Sequence, residues 1–191
     1  MIRLPADGIL YHGSYTEISR IDLSRCRSGL DFGRGFYLTS SFNQACSYVP
    51  AAVRKAKRRG WLHESYPERD GRVSVFSYMP DPNLFIHIFD DADEEWLHFT
   101  ACNRNHDLFP ELREKYRSVD IVGGKVADDI TALTLNSYVS GAFGVPGTYR
   151  ADHTAIDLLE PENLKDQFCF RTEESIRSLQ FVRSERYGNT R

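Results

Sequence analysis

Two short stretches carry the residue types that could act on a polar, ring-bearing small molecule. The first is Tyr11-His12-Gly13-Ser14, and the second is Asp31-Phe32-Gly33-Arg34-Gly35-Phe36-Tyr37-Leu38-Thr39. An imidazole at a strand end can hydrogen-bond a ribose hydroxyl, and the backbone of a following glycine can approach a flat amide closely. A guanidinium matches a pyrophosphate in shape and charge. A tyrosine ring stacks well on a flat electron-poor ring and shields a reacting bond from water. The two strands are therefore expected to form the floor of one nucleotide pocket. Each residue also has a plainer reading. His12 can be a strand-end histidine satisfied by a backbone carbonyl. Tyr37 can be a core aromatic facing away from Phe36, and Arg34 a solvated loop arginine.

The elements that must position these residues follow from local pattern. Ile9 to Tyr11 reads as a short strand, 16–27 as an irregular wrap, 28–35 as a glycine-rich loop, and Phe36 to Thr39 as a second strand. Ser41 with Gln44 three residues on is a capping-box signal for a helix with Ala45, Tyr48, Val49, Ala52, Val53 and Ala56 on one stripe, ended by Gly60. Pro50 is expected to kink or split that helix. Strands are read at 73–79 and 84–89, and a helix from Glu94 to Asn103 behind an acidic run. A strand over 118–127 is expected to break at Gly123-Gly124. Asp128-Asp129 is expected to cap a helix to Ser140, and Asp152 to open another that ends near Pro161. Gln167 to Thr172 reads as a strand, Thr172 as the cap of a short helix, Phe181-Val182 as a closing strand, and 188–191 as a frayed tail.

Bulk properties narrow the class. The 191 residues, with 41% hydrophobic and 13% aromatic content, suit one α+β domain with a sizeable core over 1–191. The net charge of −3 argues against a broad nucleic-acid face, and the basic run at 54–59 reads as a solvated helix end. The four cysteines, Cys26, Cys46, Cys102 and Cys169, have neither C-x-x-C nor zinc spacing, and the acidic run at 90–95 lacks the glycine of a calcium loop, so no metal is expected. No signal peptide or membrane span is read, which makes a cytoplasmic protein with reduced thiols the default, with leaderless secretion as the alternative.

The motifs carry a resemblance. Tyr11-His12-Gly13-Ser14 followed by Gly33-Arg34-Gly35-Phe36-Tyr37-Leu38-Thr39 resembles the signatures of the ADP-ribosyltransferase superfamily, in its His-Tyr-Glu branch shared by poly(ADP-ribose) polymerases and diphtheria-type toxins. More closely, the chain resembles a bacterial family of uncharacterised function placed in that superfamily. That likeness rests on the 31–39 block, on Asp120-Ile121-Val122-Gly123-Gly124-Lys125-Val126-Ala127-Asp128-Asp129, and on Gln167-Phe168-Cys169-Phe170-Arg171-Thr172.

The resemblance implies a split-β core of two small antiparallel sheets with flanking helices, and NAD as co-substrate. It implies His12 on the adenosine ribose, the Gly13 backbone on the nicotinamide carboxamide, and the Ser14 hydroxyl near nicotinamide. Arg34 would sit near the pyrophosphate, with Tyr37 stacked on nicotinamide. It further implies transfer of ADP-ribose to a macromolecular acceptor, protein before nucleic acid, by a toxin or effector with an antitoxin or immunity protein as partner. At the third catalytic position the chain departs: Gln167 stands where the superfamily has a glutamate. Glutamine can hold a ribose hydroxyl but brings no negative charge to an oxocarbenium-like transition state. Glu173, Glu174, Asp31, Asp120, Asp128 and Asp129 are alternative carboxylates, each with a structural role open to it. A catalytically weak or inactive nucleotide-binding or partner-binding domain is the other reading. His87 is expected to be a satisfied core histidine, and Trp96 with Phe99 core packing. Asn103-Arg104-Asn105 is expected to line a pocket or cap a helix.

Overall fold

The computed structural model describes residues 3–4, 8–126, 129–160 and 165–189. Seven strands and six α-helices are described: β1 (Ile9–Ser14), β2 (Phe36–Leu38), α1 (Phe42–Arg58), β3 (Arg72–Tyr78), β4 (Ile86–Ile88), α2 (Glu94–Arg104), α3 (Pro110–Lys115), β5 (Ile121–Val126), α4 (Asp129–Val139), α5 (Tyr149–Leu159), β6 (Lys165–Phe170), α6 (Glu173–Arg177) and β7 (Leu179–Arg186). The fold is mixed α+β with two small sheets. One has the order β1-β3-β7 and the other β2-β6-β5-β4. The expectation of two antiparallel sheets needs one correction: β4 runs parallel to β5, because α2 and α3 make the crossover between them.

The sheets meet at their β1 and β2 edges. Thr39 leaves β2 and forms a single antiparallel bridge with Tyr11, with both backbone hydrogen bonds in place at 2.8 and 3.0 Å. Leu10, Phe36, Leu38, Phe76, Ile121, Phe168 and Phe170 come from both sheets and fill one buried cluster. On the second sheet's other face α2, α4 and α5 pack Trp96, Phe99, Leu135, Tyr138, Ala151 and Ala155 against Phe32, Val122 and Cys169. Helix α1 covers the first sheet with Ala45, Val49 and Val53 on Val73. Full burial of each large apolar side chain contributes about 1.5–3 kcal/mol, so these clusters fix the position of the seam.

Several local expectations are revised by tertiary contacts. Helix α1 runs unbroken through Pro50, held by its buried stripe. Its cap is half of a capping box. Ser41 accepts the Gln44 N–H at 3.2 Å, but the Gln44 side chain accepts from the Thr39 hydroxyl at 2.7 Å instead of turning back to the cap. Strand β5 continues through Gly123 and Gly124, paired with β6 along its whole length. Gly123 is there for space: a Cβ would lie 2.7 Å from Phe168 Cδ1 and hard against Ile88. Helix α5 starts at Tyr149 behind Thr148, three residues before Asp152, which is buried for another reason given below. The closing strand spans eight residues, not two, since its backbone pairs with β3 from Leu179 to Arg186 around a bulge at Val182. Of the expected tail, Gly188 and Asn189 belong to a 3-10 turn, Tyr187–Asn189, and Tyr187 donates to Gly71 O at 3.0 Å; 190–191 lie outside the described residues. Among the described residues no helix is long and apolar enough to cross a membrane.

Candidate functional site

His12 stands at the seam. Its Nδ1 lies 2.8 Å from the Tyr37 carbonyl oxygen, and a carbonyl can only accept, so Nδ1 carries the proton. Burial lowers the imidazole's pKa, against a smaller opposing effect of the Tyr37 hydrogen bond. In the neutral ring Nε2 is then an acceptor, and it has no hydrogen-bond partner among the described residues. The plainer reading of His12 and the functional one are thus both accommodated, one on each ring nitrogen. The ring packs on Phe36, with centroids 4.5 Å apart. Gly13 follows because a methyl group there would overlap the carbonyl oxygen of Ala45 in α1. Ser14 is buried at the strand end.

The Asp31–Gly35 turn is built by its glycines and by Tyr37. Gly33 has φ +81°, a conformation that favours glycine. A side chain at Gly35 would run into Cys169 and sit 2.6 Å from Phe170 O, so β6 sets that position. The Tyr37 hydroxyl donates to Gly33 O at 2.7 Å and accepts from Phe32 N at 3.1 Å. Its ring is partly buried and parallel to Phe32, at 6.4 Å and 11°. Burial holds the Tyr37 hydroxyl well above the usual phenol range, so it is neutral and serves as a brace for the turn. Exposed Arg34 donates through Nη2 to Leu23 O and Ser24 O at 3.0 and 2.9 Å, tying the turn to the preceding loop.

Gln167 lies one step beyond the last β2–β6 pair, Leu38–Phe168, at the point where Thr39 turns away to β1. Strand alternation places Gln167, Cys169 and Tyr37 on one face, and Phe36, with the His12 ring against it, on the other. Tyr37 and Gln167 therefore share a face, whereas His12 reaches Tyr37 through the backbone. Gln167 is partly buried and its amide has no hydrogen bond among the described residues. Burial pushes the Cys169 thiol up to about 12, which leaves it inert as a nucleophile at neutral pH.

Of the alternative carboxylates, Asp31, Asp120 and Glu174 have structural partners. Asp120 accepts from Phe85 N and Thr172 Oγ1 at 2.9 and 2.6 Å. Glu173 and Glu174 occupy the first turn of α6, with Glu174 3.4 Å from Arg177. Asp129 begins α4, and Asp128 lies outside the described residues. Asp31 is 6% exposed and accepts from Arg104 Nε and Nη2 at 2.9 and 2.6 Å, while Asn103 donates to the Asp31 carbonyl at 3.1 Å. Sequence reasoning missed that clamp. An acid between Leu30 and Phe32 was its one signal, since burial there demands a cation. Trp96 is core, as expected, with its indole N–H on Lys125 O at 3.0 Å. His87 packs on Phe89 and Tyr116, but its Nε2 is buried without a hydrogen-bond partner among the described residues, so the satisfied core histidine expected there is not found.

A family model described as "Protein of unknown function (DUF3990)" matches residues 9–181. The chain belongs to this family. No curated protein and no solved structure matches it. The DUF3990 match runs from the first residue of β1 into β7, so His12, Arg34, Tyr37, Arg104 and Gln167 all lie inside it.

Proposed function

We propose that this DUF3990 protein is an ADP-ribosyltransferase-type enzyme that binds NAD at the β1–β2 seam, expels nicotinamide and transfers ADP-ribose to a macromolecular acceptor. The observation that carries the reading is His12: Nδ1 is fixed as a donor to the Tyr37 carbonyl, which leaves Nε2 as an acceptor for a ribose hydroxyl next to the Gly13 backbone. The split of the strands into two sheets at this point, with Gln167 one step beyond the last β2–β6 pair, supports it. Gln167 would hold the nicotinamide-ribose 2′-hydroxyl, and the ADP-ribosyl cation would form with less electrostatic help than a carboxylate gives.

A second reading, a nucleotide-binding or partner-binding domain without turnover, is favoured by that same uncharged Gln167. Nicotinamide release from NAD separates the two. The wild type is expected to release nicotinamide, His12→Ala to lose about 100-fold or more, and Gln167→Glu to gain. NAD binding without release in both the wild type and Gln167→Glu would leave the second reading standing. Absence of NAD binding would overturn both nucleotide readings.

A further inference from the structure

We propose that Glu94, His98 and Asp152 form a binding site for a divalent transition-metal ion, which would cross-link α2 to α5 away from the β1–β2 seam. One ligand atom from each of the three residues lies within 4.8 Å of the other two. Glu94 and His98 are four apart on α2 and so share a helix face, while Asp152 comes from α5. One imidazole nitrogen with two carboxylate oxygens is a donor set suited to zinc-like ions and unlike the all-oxygen shells of calcium or magnesium.

The surroundings of the set favour a ligand over a simple ion pair. Asp152 is 1% exposed, and its Oδ1 accepts from Tyr138 OH at 2.5 Å and Gly147 N at 3.0 Å. Those two donors orient the carboxylate so that Oδ2 faces His98 Nε2 at 2.9 Å. The His98 ring is held in turn by stacking on Phe109, at 4.0 Å and 13°. Outer contacts of this kind orient the ligands of metal sites. Glu94 is exposed, and its carboxylate has no hydrogen-bond or ion-pair partner among the described residues, although it converges on a second carboxylate. Glu94 and His98 border an open cavity of about 340 Å³, lined also by Glu95, Glu111 and Leu112, which leaves room for water as a further ligand. Zinc–ligand bonds of about 2.0–2.2 Å set tetrahedral ligand atoms about 3.3 Å apart, so the His98–Asp152 pair at 2.9 Å opens slightly while the exposed Glu94 side chain swings in. On binding, the His98 proton moves through solvent from Nε2 to Nδ1, and Nε2 and Asp152 Oδ2 exchange their mutual hydrogen bond for bonds to the metal.

The test uses the whole 191-residue chain after removal of metal by a chelator. Cobalt(II) is expected to bind one ion per chain and to show visible ligand-field bands without a thiolate charge-transfer band. Zinc(II) in excess is expected to raise Tm by about 5 °C or more. Glu94→Gln, at an exposed position that leaves folding intact, and His98→Gln are each expected to weaken binding at least tenfold. Equal affinity in the wild type and Glu94→Gln would overturn the proposal, as would a thiolate band placing the ion on Cys26 or Cys46. An equal thermal shift with magnesium(II) would overturn the choice of metal class. None of these readouts involves NAD.

Discussion

At the scale of single residues, His12 gives the seam a pH dependence whose sign follows from its surroundings. Burial lowers the folded-state pKa below the ordinary 6.5, despite the opposing hydrogen bond to Tyr37. Between the lowered value and about 6.5 the unfolded chain binds a proton that the native chain does not. The stability associated with neutral His12 is therefore complete above about pH 6.5 and is lost as pH falls towards the folded pKa. His12→Gln removes this dependence. Urea unfolding of both proteins across that range should show their stability difference changing in the wild type's favour as pH rises; a difference flat with pH would remove His12 from this role. Neighbouring Gly13 is expected to tolerate no side chain. Gly13→Ala forces β1 away from the Ala45 carbonyl and should lower the urea midpoint, by about 1–3 kcal/mol of stability.

At the scale of elements, the last turn of α2 holds the turn that carries Arg34 and Tyr37. Arg104 reaches Asp31 with two nitrogens, Asn136 Oδ1 at 2.7 Å with a third, and both members of the Arg104–Asp31 pair are largely buried. Removing Arg104 takes two charge-assisted hydrogen bonds from the buried Asp31 carboxylate. Arg104→Met is therefore expected to cost roughly 3 kcal/mol, and a double-mutant cycle with Asp31→Asn to show ~2 kcal/mol of coupling in chemical denaturation. Additive single effects would show that the pair does not hold the turn. The sequence hides this contact because 73 positions separate its partners. What it displays are features set within a few residues: the Ser41 and Thr172 caps and the α1 stripe. Gly123-Gly124 misleads because a glycine that frees the chain and a glycine that makes room for Phe168 look alike in a pattern. Asp152 misleads because an acid near a helix start usually serves its own backbone, whereas this one serves His98 and Tyr138. The His-Gly-Ser and Gly-Arg-Gly motifs are legible as a pair, but the hydrogen bond that joins them, from the His12 imidazole to the Tyr37 carbonyl, depends on the tertiary bridge at Tyr11 and Thr39.

At the scale of the whole molecule, two sheets share one buried cluster yet are bridged by a single residue pair, so the β1–β2 seam is where the least backbone pairing holds the most structure. Seven ladder pairs join β3 to β7 and six join β5 to β6, and these interiors resist local opening. Edge strands β1 and β2 have a ladder on one side only, apart from the bridge, and β2 is three residues long. A ligand gripped by His12, Gly13 and the Asp31–Thr39 stretch would connect both edges and slow their opening together. Hydrogen exchange with saturating NAD is therefore expected to protect 9–14 and 31–44 jointly, while amides of α5 at 149–159 stay unchanged. The same experiment on His12→Ala should lose protection on both edges at once, because the ligand couples them. Protection confined to one edge would place the nucleotide on a single sheet. Protection in α5 instead would move the binding site to the face that carries Asp152.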